Sequence, residues 1–265
     1  MISGATRVLV ILGDPVEKLR SPEGFGRRFE ANGIDAVMIA VHVAPQDLTR
    51  VVAGLKCWRN LAGIVVTMPH KTAMLGLADE VLETGRLVGA VNALRPAGDG
   101  RWQADMFDGT GFVTGLAAQG QSAHGRRVGL LGAGGAGAAI AVSLARAGIA
   151  AIAVHDLDGA KAKRLVETLR AAFPELDARV GPPDLGDVDL LVNATPIGMR
   201  DDDPLPWDLT GLRAGTIVGD VMTKPDTPPF IAAAERLGAP VVRGRDMYEG
   251  QVRELGAFFG FRFDR

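Results

Sequence analysis

The sequence predicts an α/β protein, with an N-terminal α/β unit followed by a Rossmann-type doubly wound parallel sheet. Three observations carry this. Apolar runs of strand length alternate with helix-length segments along the chain. Residues 128–137 read VGLLGAGGAG, an apolar run feeding a turn with glycines at Gly132, Gly134 and Gly137. A second apolar run, AAIAVHD, then ends in an acid, Asp156, 24 positions after Gly132.

The elements follow in order. VLVIL (8–12) reads as a buried strand. Ser21 and Pro22 suit the N-cap and first turn of a helix reaching Ala31. DAVMIAVHV (35–43) is a second strand, Pro45 to Leu55 a helix, and AGIVVTMP (62–69) a third strand stopped by Pro69. AVNALRP (90–96) and RWQAD (101–105) pair around the turn AGDG (97–100). Residues 109–120 suit a connecting helix. Strands at 127–132, 151–156, 178–180, 188–194 and 216–221 then alternate with helices at 136–147, 159–172 and 229–237. VVRG (241–244) ends this unit, and Met247 to Phe259 suits a last helix that returns to the first. The expected division is 1–107 for a substrate-binding and catalytic domain, completed by 244–265, and 108–243 for the Rossmann domain.

Composition narrows the class. With 47% hydrophobic and 23% charged residues over 265 positions, the chain has the profile of a globular protein with a real core. A net charge of −2 gives nucleic acid no electrostatic attraction. The run 8–12 is strand-sized, so neither a signal peptide nor a membrane helix is expected. One cysteine, Cys57, cannot form an internal disulfide, which makes a cytoplasmic setting the default and the thiol structural. The four histidines fall in no metal-ligand spacing, so no metal is expected. The acid run DDDP (201–204) reads as a solvated loop. Oligomeric state is left as monomer or homodimer.

The glycine segment has a task for each part. Gly132 permits a tight turn, Gly134 lets the backbone approach a pyrophosphate, and Gly137 lets the helix pack on the strand. The helix N-terminus offers free N–H groups to phosphates, and Asp156 accepts from ribose hydroxyls. If one unit holds a dinucleotide, the other holds its co-substrate. VVTMPHK (65–71) delivers Lys71 just beyond a strand tip, where ligands gather in open α/β sheets, although a solvated loop cation is the plain alternative. Asn92 lies inside an apolar run, where an amide is costly unless it is paired. Asp108 precedes the connecting helix and reads either as its N-cap or as a site carboxylate.

Taken together, VTMPHK, GAVNAL, DMFDGTG, GAGGAG, VNATPIGM and the late glutamine in DMYEGQ resemble the shikimate/quinate dehydrogenase family, in matching order over most of the chain. The resemblance implies a substrate domain interrupted by an NAD(P) domain, and reversible oxidation of a cyclic polyol carboxylate. It implies Lys71 and Asp108 as the catalytic pair, the lysine as acid/base and the aspartate positioning it and holding a neighbouring hydroxyl. Ser21, Thr67, Asn92 and Gln251 are then substrate contacts. Gly132, Ala133, Gly134, Gly135, Ala136 and Gly137 hold the pyrophosphate, with Asp156 and Leu157 at the ribose end. Thr195, Met222, Gly244 and Met247 line the nicotinamide side.

The chain also departs from the family. Where NADP members carry Asn-Arg-Thr, this sequence has His155-Asp156-Leu157, and a carboxylate there repels a 2′-phosphate, so NAD is expected over NADP. Lys161, Lys163 and Arg164 are the nearby cations that could oppose this. The first serine of the family's Ser-x-Ser-Pro is Leu19, its asparagine before the VTMPHK threonine is Val65, and its tyrosine after the DVM strand is Thr223. Three polar contacts are altered, which points to a divergent enzyme for shikimate or quinate, or for another polyol or amino-substituted acid. A dinucleotide-binding regulator without turnover is the reading from a different class.

Overall fold

A computed structural model describes residues 2–17, 19–200 and 202–263. It divides into two compact units, Met1–Phe107 with Val252–Arg265, and Asp108–Gln251.

The first unit holds β1 (Arg7–Gly13), α1 (Ser21–Ala31), β2 (Ala36–His42), α2 (Leu48–Leu55), β3 (Leu61–Val66), β4 (Glu80–Val81), α3 (Glu83–Val88), β5 (Ala93–Pro96) and β6 (Trp102–Asp105). The six strands form one sheet in the order β2-β1-β3-β5-β6-β4. β1 pairs in parallel with β2 and β3, while β5 runs antiparallel to β3 and β6. Every residue of β3 is buried, so it reads as a continuous apolar run, as a strand covered on both faces must. One face packs Leu12, Ile64, Val66, Met74 and Leu94 together. α1 buries Phe25 and Phe29, and the Phe29 ring lies 4.9 Å from that of Phe261.

Three local expectations are corrected. Ser21 is the first helical residue rather than the N-cap, which is Arg20 and makes no side-chain cap bond. Residues 45–55 split into a 3-10 turn at Pro45–Asp47 and then α2. β3 stops at Val66, short of Pro69. The short elements β4 and α3, and a 3-10 turn at Ala73–Leu77, carry too little periodicity to be legible in sequence.

The second unit holds α4 (Asp108–Ala118), β7 (Arg127–Leu131), α5 (Gly135–Arg146), β8 (Ala151–His155), α6 (Gly159–Ala172), β9 (Asp177–Val180), β10 (Leu190–Asn193), β11 (Ile217–Asp220), α7 (Pro229–Arg236) and β12 (Val241–Val242). Its strand order is β12-β11-β10-β7-β8-β9, with every adjacent pair parallel. The chain reverses its direction of winding between β7 and β10, and the crevice at the carboxyl ends of those strands is where this fold receives ligands.

The last helix, α8 (Gly244–Phe258), starts three residues before the predicted one. Its residues 244–251, expected with the first unit, cluster with the second. Glycines explain this. A Cβ on Gly115 would lie 2.6 Å from the Asp246 carbonyl oxygen, and one on Gly250 2.3 Å from that of Gly111, so α4 and the start of α8 meet backbone to backbone.

Candidate active site

In the first unit, three predicted residues gather at the carboxyl end of β3. The Lys71 carbonyl accepts from Val91 N at 3.0 Å, and the Asn92 carbonyl accepts from Val66 N at 2.8 Å. Thr67 follows directly, its own N–H donating to the Leu12 carbonyl at 2.9 Å. Thr67, Lys71 and Asn92 are thus held on neighbouring backbone segments. The Asn92 side chain is 2% exposed, and its Oδ1 accepts from Phe107 N at 2.9 Å. The amide in an apolar run is paired, as its burial demands.

Sequence reasoning missed His70. Its ring is 1% exposed, with Nε2 2.8 Å from the Val43 carbonyl oxygen. That contact fixes the turn that presents Lys71. Leu19, just before α1, and Ser21, its first residue, are half-buried, and Val65 is buried. At the tips of β1 and β2 the Asp14 carboxylate lies 2.7 Å from His42 Nε2 and holds that imidazole above its usual range.

In the second unit, Asp108 opens α4 at 3% exposure, and Gln251 Nε2 donates to its Oδ1 at 2.5 Å. Gly109 makes the seat possible, since a Cβ there would sit 1.9 Å from the Ala139 carbonyl oxygen on α5.

The glycine turn occupies the crevice after β7. Gly132 has φ +97°, a conformation reserved for glycine. Gly134 is the extended N-cap of α5, with open space where a Cβ would stand, and Gly135 and Ala136 begin the helix. A Cβ on Gly137 would lie 2.0 Å from the Gly132 carbonyl oxygen. The turn bounds a cavity of about 280 Å³, also lined by Asp156, Leu157, Lys161, Thr195 and Ile197. Asp156 Oδ2 accepts from Ala133 N at 2.7 Å and Oδ1 from Asp158 N at 2.8 Å, so the carboxylate ties the end of β8 to the turn. Leu157 beside it is 90% exposed. Lys161 also faces this cavity, its Nζ 3.9 Å from Asp158 Oδ2. Lys163 instead pairs along α6 with Glu167 at 3.9 Å. The open Cβ position at Gly134, the bare N-terminus of α5 and the cavity together fit a dinucleotide's phosphates.

Beyond the ends of β10 and β11, Gly198 approaches Met222, and a Cβ on it would be 3.0 Å from Met222 Cε. Gly244 sits against the Met222 backbone, its Cβ position 2.0 Å from the carbonyl oxygen, and Met247 follows within the first turn of α8 at 9% exposure. Asp203 is not a merely solvated acid. Its Oδ2 accepts from Gly198 N at 2.8 Å and Arg200 N at 3.1 Å, and these N–H groups hold its carboxyl below the usual range. Asp201 of the same run lies outside the described residues.

Sequence reasoning also passed over Asn193 and Asp220, the last residues of β10 and β11, both with 0% exposure. The signal was present, for each is a polar residue ending an apolar run, as in VDLLVNA and TIVGDV. Burial raises the Asp220 carboxyl to about 6, against the opposing hydrogen bonds from Asn193 and Met222. Among the described residues, no group of three or more His, Cys, Asp or Glu side chains could hold a metal ion, and no helix is long and apolar enough to cross a membrane. Cys57 is exposed, its thiol 3.4 Å from the Ala53 carbonyl oxygen.

A parallel sheet wound in both directions, a glycine turn at its switch point and an acid closing the second strand define a Rossmann-type dinucleotide fold. Comparison with known proteins gives the particular family. Residues 11–94 match the family profile of the shikimate dehydrogenase substrate binding domain. The chain is 38% identical to the shikimate dehydrogenase (NADP(+)) of Rhodospirillum rubrum, over 98% of this chain and 94% of that one. Its fold is similar to the ligand-free 5-ketofructose reductase of a Gluconobacter species, with TM-score 0.91 and 29% identity, covering 99% and 96% of the two chains. It is also similar to the shikimate 5-dehydrogenase of Listeria monocytogenes in complex with shikimate and NAD, with TM-score 0.92 and 27% identity, covering 99% and 95%. The chain belongs to the shikimate dehydrogenase family.

Proposed function

We propose that the protein is an NAD(P)-dependent oxidoreductase that interconverts shikimate and 3-dehydroshikimate, or the quinate pair. The observation that carries this is the joint presence of the glycine-turn cavity closed by Asp156 and the strand-tip cluster of Thr67, Lys71 and Asn92. Kinship with shikimate dehydrogenases over nearly the whole chain supports it. The dinucleotide, when bound, supplies the hydride acceptor or donor. Gly132–Gly137 with the α5 N-terminus hold its pyrophosphate. Thr195, Met222, Gly244 and Met247 line its reactive end. Lys71 Nζ takes the proton from the hydroxyl under oxidation and returns it in reduction. Asp108 binds an adjacent hydroxyl, and Ser21, Thr67, Asn92 and Gln251 hold the remaining polar groups.

Within that reading, NAD is the preferred dinucleotide. Asp156 supports it, because a carboxylate has about four lone-pair sites and only two receive backbone donors here. Ribose hydroxyls fit those that remain, while a 2′-phosphate meets a like charge. The naming of the Rhodospirillum relative for NADP(+), and Lys161 in the same cavity, stand against it. A cytoplasmic setting agrees with the lone cysteine.

A second reading keeps the chemistry and changes the substrate to a polyol ketone without a carboxylate. Apolar Leu19 and Val65 stand where the family has polar groups, and the likeness to a 5-ketofructose reductase favours it. One assay separates the readings. Reduction of NAD and NADP is followed with shikimate and quinate, and oxidation of NADH and NADPH with 5-ketofructose. Turnover on shikimate or quinate supports the first reading, turnover on the ketose alone the second, and turnover on none with dinucleotide still bound a regulator.

A further inference from the structure

We infer that Asp220 is a positioning residue for the dinucleotide site, a buried carboxylate that sets the direction of a hydrogen-bond chain shaping the loop 194–198. The inference rests on the reading of the glycine-turn cavity as a dinucleotide site. All of its parts lie in the second unit.

Strand register brings the parts together. β10 and β11 are parallel neighbours, and Asn193 and Asp220 are Cα partners at their carboxyl ends. Asn193 Nδ2 donates to Asp220 Oδ2 at 2.9 Å, and Met222 N donates to Asp220 Oδ1 at 2.9 Å. Asn193 Nδ2 also reaches the Ile197 carbonyl oxygen at 3.3 Å. At the other end of the amide, Oδ1 accepts from Thr195 N at 3.0 Å and from Thr195 Oγ1 at 2.7 Å. With its proton committed there, Thr195 Oγ1 accepts from Ile197 N at 3.2 Å. Thr195 and Ile197 both line the cavity, facing the glycine turn.

The carboxylate decides the polarity of every link. An ionised carboxylate only accepts, whereas an amide has one accepting and one donating end. Facing Asp220, Asn193 must present its amino group, which leaves its oxygen for Thr195. An amide at position 220 has one oxygen for two donors. It must set its amino group against either the Met222 N–H or the Asn193 amino group. If Asn193 turns over to relieve this, its amino group meets Thr195 N–H, and the mismatch passes into the loop. A carboxylate in a site without solvent is costly, as its raised titration near 6 reflects. A serine or threonine would bridge the strands more cheaply but would not fix the amide's direction, since a hydroxyl both donates and accepts.

The test is a swap. Asp220→Asn alone should weaken NAD or NADP binding by about tenfold or more, measured as a Kd by calorimetry on folded protein, since the lost match is a hydrogen bond to a charged group. Asn193→Asp with Asp220→Asn moves the carboxylate across the pair. The new carboxylate accepts from the amide at 220 and from Thr195, and the amide oxygen accepts from Met222 N. The one mismatch the swap adds is at Ile197, whose carbonyl oxygen, 3.3 Å from Asn193 Nδ2, then faces a carboxylate oxygen. The double variant should therefore bind within about fivefold of wild type. A purely structural bridge would lower the melting temperature and leave the Kd of the folded variants unchanged, which overturns the inference. If Asp220→Asn does not fold, the double variant decides, and a double variant as weak as the single variant, or equally unfolded, also overturns it. Wild type that binds neither dinucleotide removes the reading of the cavity itself and this inference with it.

Discussion

Gln251 Nε2 donates to Asp108 Oδ1 at 2.5 Å, joining side chains 143 residues apart in sequence. The pair links the start of α4 to α8 within one unit, and Asp108 is almost fully buried. Gln251→Ala removes a donor from a buried carboxylate. The expected outcome is a fall in kcat/KM of about 10- to 100-fold, on the scale of a hydrogen bond to a charged group. Dinucleotide Kd should change less than about twofold, because Gln251 lies outside the glycine-turn cavity. Steady-state kinetics and calorimetry on one preparation check both numbers.

Lys71→Ala removes the proposed proton carrier while leaving the turn that presents it, which His70 holds through Val43. Turnover should fall by about 100- to 10,000-fold, the usual range for a general acid/base. NAD binding should persist. Near-normal turnover in this variant would remove the lysine from the reaction.

Asp156 governs cofactor choice in the proposed reading. Asp156→Ala deletes the acceptor of Ala133 N–H and the negative charge at the ribose end. The NAD-to-NADP ratio of kcat/KM should drop by roughly tenfold or more. Wild type that uses NADP as efficiently as NAD contradicts the preference at the outset.

Gly137→Ala tests the backbone contact beneath the cofactor turn. The added methyl meets the Gly132 carbonyl oxygen at 2.0 Å, so helix and strand must separate. Destabilisation of at least about 1–3 kcal/mol is expected, with loss of dinucleotide binding. Gly135→Ala, two residues earlier at the first position of α5, where a Cβ meets open space, should leave the melting temperature nearly unchanged.

Asp220 gives stability a definite pH slope. Its carboxyl titrates near 6 in the folded protein and near 3.9 when unfolded. Between those values the folded state holds a proton that the unfolded state has released. This group's contribution to stability therefore rises as pH falls from about 6 towards 4. Wild type should gain on Asp220→Asn by up to roughly 1 kcal/mol per pH unit in that window. Denaturant unfolding of both proteins at pH 7 and pH 5 measures the difference, and an unchanged gap refutes the raised titration.

Much of the molecule was legible because its signals are local in the chain. The doubly wound unit followed from apolar runs, a glycine turn and an acid at fixed spacing, since strand, turn and helix are made by neighbouring residues. Val91 and Val66 bond the backbones of Lys71 and Asn92 because the motif VTMPHK ends one strand and GAVNAL enters the strand beside it. The Ser21 cap failed because its alternatives differ by one residue, and helix ends are set by contacts beyond the local sequence.

What the amino-acid order determined by itself was the type and order of the longer elements, the glycine positions and the family. Tertiary structure decided which buried polar atoms meet. Asn193 and Asp220 sit 27 residues apart, and only the register of two parallel strands makes them partners. Gly111, Gly115 and Gly250 became packing residues only when α4 and α8 came into contact. The physical reason is one of range. Periodicity and turn chemistry act over a few residues, whereas hydrogen-bond matching and close backbone contact depend on where distant segments arrive.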